Sequence, residues 1–317
     1  MRSTEKAFHL SLVTLFMKII IGSRGSQLAL WQSNWVKDRL AGAGLEVEIK
    51  VIKTAGDKLP NVPLAQSGTK GLFIKEIEEA LTSGAVDVAV HSMKDLPTDQ
   101  PAGLVIAAVP DREDSRDALI SNNGQRFVDL PAGARVGTSS VRRQAQLRRL
   151  RGDLNLVPLR GNLDTRLKKL DRGDCDALVL AAAGVHRLGF HARITEYFSP
   201  EAMCPAVGQG ALAIEIRQGD ERTQRAVRPL DHVPTHQAVR AERALLRHLG
   251  GGCQVPIAAH AVVTGSRLSL VGMVASPDGS SVKRAAAEGS IEDPEGLGAR
   301  VAARLFEQGA RAILASK

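Results

Sequence analysis

Residues 18–40 read KIIIGSRGSQLALWQSNWVKDRL, and the fold follows from how this stretch divides. Lys18–Gly22 is a short apolar run, the pattern of a strand buried on both faces. The turn Ser23–Ser26 leads to Leu28, Trp31, Trp35 and Val36 at helical spacing, which predicts a helix over Gln27–Leu40. Residues 45–52, LEVEIKVI, then alternate as a strand with one wet face. Beyond a Gly- and Pro-rich loop, Asp57–Gly71, the pattern predicts a helix over Leu72–Leu81 and a strand over Val86–His91. This β-α-β-α-β order predicts an α/β domain with a largely parallel sheet.

A similar rhythm restarts beyond Asp111–Asp117, a charged stretch that reads as a crossover or hinge. Strands are expected at Asp117–Ser121, Ala134–Gly137, Asn155–Leu159 and Asp176–Leu180, alternating with helices near 141–150, 163–171 and 182–188. Residues 211–217, ALAIEIR, read as a strand returning to the first domain. After about residue 232 the style changes to α+β. It comprises a helix over Gln237–Leu249, alternating segments near 257–263 and 268–275, a hairpin-like turn at Pro277–Ser280 and a helix near Glu292–Gln308. At 317 residues the chain exceeds one typical core. The expected organisation is a 1–16 extension, a discontinuous α/β domain (17–112 with 211–230), a second α/β domain (113–210) and a C-terminal α+β domain (231–317) with a small antiparallel sheet.

The chain carries 42 basic and 34 acidic side chains, a balance of +8. Between Arg135 and Arg172 eleven Lys and Arg face three Asp, so this one block holds the same excess. Concentrated guanidinium groups on an otherwise balanced chain imply a polyanionic partner. Nucleic acid fits poorly, because no Phe, Tyr or Trp interleaves the block and no nucleic-acid-binding signature is present. A small polycarboxylate or phosphorylated molecule fits better.

The apolar run Leu10–Met17 is too short to span a bilayer and no small-residue cleavage site follows it, so residues 1–16 read as an extension and no membrane association is expected. Cys175, Cys204 and Cys253 are odd in number and widely spaced, neither a disulfide framework nor a zinc site, and a reducing cytoplasm is the natural compartment. His232 and His236 stand four apart, but Pro234 between them argues against a shared helical face, and no metal is expected.

Ser140 reads as an N-cap, which places Arg142 and Arg143 in a first helical turn. Cations are unfavourable there unless an anion is bound. Arg160 and Arg166 bracket a second N-terminus at Asn162. Strand C-termini and helix N-termini form the binding edge of a parallel sheet, so these four arginines are read as anion ligands. Arg148, Arg149, Arg151, Lys168 and Lys169 read as solvated helix faces. Lys94 and Asp95 end the strand leading into HSMKD (91–95), at the same edge. A carboxylate in so basic a cleft stays ionised and can steady a cation or move a proton, while a structural Asp–Lys pair in a turn suits the spacing equally well.

GGGC (250–253) is the sharpest single feature: glycines leave the backbone around Cys253 open, which suits a reactive or modified thiol. Cys175 and Cys204 lack that context and read as structural. Gly208–Ala213 matches a dinucleotide fingerprint, but it precedes a strand instead of opening a helix, so it is set aside.

Together these residues resemble the porphobilinogen deaminase, or hydroxymethylbilane synthase, family. The resemblance rests on SRGSQLALWQ (23–32), KTAGDK (53–58), KGLFIKE (70–76), AVHSMKDLPT (89–98), VGTSSVRRQAQL (136–147), LRGNLDTRLKKL (159–170), PAVGQGALAIE (205–215) and GGCQVPIA (251–258). Any one is weak; eight in order are specific. Gln27 stands where many members have Pro and Gln66 where some have a basic residue, and neither touches the chemistry.

The resemblance implies two α/β domains of the type II periplasmic-binding-protein kind and a third α+β domain. It implies a dipyrromethane cofactor attached through Cys253, extended by four porphobilinogen units with loss of ammonia and released as hydroxymethylbilane by hydrolysis. On the family's pattern Asp95 steadies cationic pyrrole intermediates, and Lys94, Ser140, Arg142, Arg143 and Arg166 hold the cofactor. Arg24, Ser26, Arg160, Arg187 and Gln209 meet the substrate or growing chain, with Lys70 and Phe73 at a mobile loop. Each pyrrole carries an acetate and a propionate, which accounts for the arginine block. A monomer is expected. Two other classes would share parts of the pattern. An anion-binding protein of the same α/β type has no need of Asp95 or a glycine-flanked Cys253, and a nucleic-acid regulator has no need of the loops at 57–71 and 250–253.

Overall fold

The computed structural model describes residues 18–55, 74–251 and 255–315. Two five-stranded sheets and one three-stranded sheet organise them. The first contains β1 (Lys18–Ser23), β2 (Glu46–Val51), β3 (Val88–Ser92), β4 (Leu104–Ala108) and β10 (Leu212–Arg217), in the order β2-β1-β3-β10-β4. β1 pairs parallel with β2 and β3, whereas β10 runs antiparallel between β3 and β4. Helix α1 (Gln27–Gly42) contributes Val36 and Leu40 to one face, against Ile19, Ile21, Val88 and Ile214. Helix α2 (Lys75–Thr82) covers the other face with Ile77 and Leu81, against Val86, Ala89 and Leu104. Two covered faces explain why β1 and β3 read as unbroken apolar runs. The edge strand β2 keeps its wet face, where Glu46 and Glu48 pair with Lys18.

The second sheet repeats the plan with β5 (Asp117–Ser121), β6 (Arg135–Gly137), β7 (Asn155–Val157), β8 (Ala177–Ala181) and β9 (Glu196–Tyr197), ordered β7-β6-β8-β5-β9. Helices α3 (Val141–Leu150), α4 (Leu163–Asp171) and α5 (Ala182–Arg187) follow β6, β7 and β8. β6 is parallel to both neighbours and β5 antiparallel to both of its own. Each sheet thus has one strand reversed by a crossing between the two units. The outgoing and returning segments touch where Glu113 N–H donates to Gly210 O at 3.3 Å. Gly210 has φ +89°, and a Cβ there would collide with the Glu113 carbonyl oxygen. The G-x-G-x-x-A stretch is therefore a crossing and not a nucleotide loop.

Helices α6 (Glu221–Val227) and α7 (Val233–His248) lead to an antiparallel sheet of β11 (Ile257–Thr264), β12 (Arg267–Ala275) and β13 (Val282–Ser290), closed by α8 (Pro294–Glu307) and α9 (Ala310–Ala315). Leu245, Leu270, Leu297, Val301 and Leu305 form its core. Ala145 and Cys204 of the second unit pack with Ala258, Met273 and Ala275 of the third.

Several elements depart from the sequence reading. β4 and α6 were not foreseen, and β10 returns to the first sheet as expected. Helix α7 begins at Val233, four residues before Gln237, because Pro234 sits in its first turn, where a missing N–H costs nothing. Pro234 therefore starts the helix and does not interrupt it. Residues 72 and 73 of the expected 72–81 helix lie outside the described residues, and α2 is seen from Lys75. No described helix is long and apolar enough to cross a membrane.

Candidate active site

Five chain segments leave the carboxyl ends of β1, β3, β6, β7 and β8 and converge on one cleft of about 330 Å³ between the two α/β units. That is where a doubly wound sheet places its ligands. Ser26 caps α1, its hydroxyl accepting from Ala29 N–H at 3.3 Å, which fixes Arg24 and Ser26 at one wall. The short turn Met93–Asp95 after β3 presents Lys94 and Asp95. The facing wall supplies Arg143, Arg166 and Arg187. Among the described lining residues five Lys and Arg stand with Asp95 and Asp164, so the lining has a net positive charge.

Behind Arg143 lies a buried clamp. Asp117 is inaccessible to solvent, and its carboxylate accepts from Arg142 Nη1 at 2.7 Å, Arg142 Nη2 at 3.1 Å and Arg143 Nε at 2.9 Å. Gln209 Nε2 adds a fourth donor at 3.0 Å. Burial alone would raise this acid, but the Arg142 and Arg143 guanidinium groups hold it well below the usual carboxylate range. Arg142 also donates to Cys204 O at 2.7 Å, and Arg143 to Val179 O at 3.1 Å. Two cations at the N-terminus of α3 are thus compensated from inside the protein. Arg143 still lines the cleft, whereas Arg142 is committed to Asp117 and Cys204.

The other cations are less compensated. Burial, then the Arg143 charge, lowers Arg166 to about 10, with Asp95 opposing; its Nε donates to Gly161 O at 2.8 Å. Burial lowers Arg187 to about 10, and its Nη2 donates to Gly210 O at 2.7 Å in the returning crossing. Crowding by the cleft walls lowers Lys94 to about 8, with Asp95 opposing and Arg143 adding to the effect. Lys94 nevertheless keeps much of its surface open to solvent, so this crowding belongs to the cleft and not to a sealed interior. Such cations gain most from an arriving anion.

Of the residues singled out in the sequence, Arg24, Ser26, Lys94, Asp95, Arg143, Arg166 and Arg187 line the cleft together. Ser140, Arg142, Arg160 and Gln209 do not. Ser140 caps α3, its hydroxyl accepting from Arg143 N–H at 3.4 Å, and Gln209 is buried in the clamp. Arg160 is half-buried where the chain leaves β7 for α4. Lys70, Phe73 and Cys253 lie outside the described residues. Cys175 and Cys204 are buried, with burial pushing their thiols up to about 11 and about 12, as suits inert structural cysteines. The described residues contain no group of three or more His, Cys, Asp or Glu able to hold a metal ion.

Asp117 and His91 escaped the sequence reading. Asp117 ends a charged stretch that reads as a crossover or hinge and opens the expected strand Asp117–Ser121, and nothing local shows that two arginines far along the chain turn back to it. His91 stands within HSMKD, where nothing local points to a role, since its partner Glu215 is 124 residues away.

Comparison with known proteins is consistent with this geometry. The family model described as "Porphobilinogen deaminase, dipyromethane cofactor binding domain" matches residues 19–225, and "Porphobilinogen deaminase, C-terminal domain" matches residues 236–307. Proteins named porphobilinogen deaminase from Syntrophotalea carbinolica and Pelobacter propionicus are 52% and 53% identical, each over 93% of this chain and 95% of the relative. The one from Geobacter sulfurreducens is 52% identical over 94% of both chains. Among solved structures, the methionine binding protein MetQ aligns at 13% identity with a TM-score of 0.45, over 71% of this chain and 93% of that one.

Proposed function

Because this chain belongs to the porphobilinogen deaminase family, we propose a division of labour within its cleft for that family's reaction. The enzyme is a transferase that joins four porphobilinogen units into hydroxymethylbilane, releasing ammonia with each, in tetrapyrrole biosynthesis. The described cleft fits a dipyrromethane: its five cationic side chains against two carboxylates suit a group whose pyrroles carry acetate and propionate arms. When bound, that cofactor supplies the primer on which the chain is built.

Arg143, Arg166 and Lys94 hold carboxylates of the cofactor, with Ser140 and Arg142 acting through Arg143 by capping α3 and sharing Asp117. Arg24, Ser26 and Arg187 receive those of porphobilinogen. Gln209 acts from behind the cleft by donating to Asp117, and the family's pattern assigns Arg160, Lys70 and Phe73 to the substrate or growing chain. Asp95 is the catalytic carboxylate. As ammonia leaves porphobilinogen, positive charge spreads over its pyrrole, and a carboxylate beside the pyrrole N–H stabilises that charge more than the neutral ring. Without Asp95 a wall of cations would oppose the same charge. The observation that carries this reading is the joint presence of Asp95 and Lys94 at one strand end, facing Arg143 and Arg166 across the cleft.

Cys253 is the attachment point. In sequence it follows three glycines between the end of α7 and the start of β11, which suits a reactive thiol, whereas Cys175 and Cys204 are buried. Those two unbridged thiols suit a reducing compartment such as the cytoplasm. Intact mass measurement tests the assignment: wild type carries one discrete adduct, and Cys253→Ala folds without it and is inactive. An adduct mapped to Cys175 or Cys204 would refute the assignment.

A further inference from the structure

His91 and Glu215 form a buried pair that opens onto the cleft. They sit on adjacent antiparallel strands, His91 opposite Ala213 and Glu215 opposite Ala89, so both side chains emerge on one face of the sheet. His91 Nε2 lies 3.0 Å from Glu215 Oε2, with the residues 6% and 0% exposed. His91 is among the residues lining the cleft, together with Ser92, Lys94 and Asp95. Glu215 Oε1 is buried and has no hydrogen-bond partner, and the same holds for Glu78 Oε1 on α2. Burial, then the Glu215 charge, holds the Glu78 acid above its usual range. A buried carboxylate with an unserved oxygen is costly, and a positive charge on the adjacent imidazole offsets that cost.

We propose that His91, oriented and supported by Glu215, receives the proton released in each carbon–carbon bond-forming step. The inference rests on the reaction assigned above. The α-carbon of the terminal pyrrole bonds to the methylene carbon from which ammonia has left. The α C–H bond then breaks, its electron pair restores the aromatic ring, and the proton passes to His91 Nδ1, with Nε2–H donating to Glu215. The ammonia takes that proton and departs as ammonium, which returns His91 to its neutral form. No oxidant or reductant is involved. The charged groups around the ring are Glu215 on β10, Glu78 on α2, and Lys94 and Asp95 on the turn after β3. Arg243 on α7 adds its field to Glu215 from beyond. Asp95 thereby steadies the cation, and His91 removes the proton once the cation has been consumed.

Two measurements test this. The first is a pH titration of the His91 ring resonance in ¹³C-histidine-labelled enzyme, which does not depend on turnover. Glu215→Gln, nearly isosteric, moves the midpoint to lower pH if Glu215 supports the imidazolium. An unchanged midpoint overturns the pairing. The second compares wild type with His91→Gln on porphobilinogen deuterated at its free α-carbon. The expected result is turnover slower by a factor on the order of a hundred, first-turnover ammonia release near the wild-type rate, and a primary isotope effect absent from wild type. Turnover at the wild-type rate overturns the proposal, as does ammonia release that falls in step with turnover without an isotope effect. If His91→Gln does not fold, Glu215→Gln carries the isotope measurement by the same criteria. Failure of the Asp95 assignment looks different: Asp95→Asn would then release ammonia at the wild-type rate, whatever the His91 isotope effect.

Discussion

Arg142 Nη1 lies 2.7 Å from Asp117 Oδ2, and the carboxylate that receives it is fully buried. The same Asp117 takes Arg143 through Oδ1, so one acid from the start of β5 fixes two consecutive guanidinium groups at the start of α3. One of them, Arg143, faces the cleft. The relationship ties the geometry of anion binding to a residue that touches no ligand.

Asp117→Asn should therefore damage stability and cofactor retention together. Breaking a buried ion pair costs about 3–5 kcal/mol, because it strands the charges that remain. The sign of the pH dependence follows from the depressed acidity of Asp117. Its contribution is full above the unfolded value near about 4 and is lost as pH falls below that toward the folded value. Thermal melts from pH 7 down to pH 3 should show a steep acid limb in wild type and a flatter one in the variant. Equal acid limbs would remove Asp117 from the account.

Lys94 makes the holding of the cofactor's carboxylates sensitive to alkaline pH. Its ammonium is lowered to about 8, so the charge is complete below that value and lost as pH rises through it. Cofactor uptake by the apo-protein should fall between about pH 7.5 and 9 in wild type and stay flat in Lys94→Arg, whose guanidinium holds its proton throughout. Intact mass counts the loaded fraction without any turnover, which separates this effect from catalysis. A decline of the same size with arginine at this position would assign it elsewhere.

Arg148 and Arg149 are adjacent on α3 and should behave differently. Arg148 Nη1 donates to Pro277 O at 2.5 Å, which joins the second unit to the β12–β13 turn and corrects the reading of this residue as a solvated face. Arg148→Leu should cost about 0.5–1 kcal/mol, the modest value of an exposed charge-assisted contact. Arg149→Leu should fall within about 0.5 kcal/mol of wild type. Urea denaturation resolves the difference, and equal midpoints would contradict it.

How much was legible beforehand depended on range in the chain. The apolar run at Lys18–Gly22 and the Ser140 and Asn162 helix starts are local signals, and β1, α3 and α4 formed where these placed them. Gathering Asp95, Arg143 and Arg166 at one edge followed from strand polarity, since each follows the carboxyl end of a parallel strand, while Arg24 and Arg187 came only from the family resemblance. The Asp117 clamp and the His91–Glu215 pair were invisible, because each joins residues brought together only by a reversed strand, β5 in one case and β10 in the other. Arg142 shows the consequence. A helix-terminus argument takes an uncompensated cation as an anion ligand, and here its compensation came from a distant buried acid.

The most direct test is first-turnover ammonia release from porphobilinogen in Asp95→Asn. The substitution keeps the size and one acceptor oxygen but removes the charge that opposes the developing cation. With the cofactor adduct confirmed by mass and porphobilinogen binding intact, release should slow by a factor on the order of a hundred or more. Release at the wild-type rate would contradict the account, leaving Asp95 as a turn residue and the chemistry of the cleft without its carboxylate.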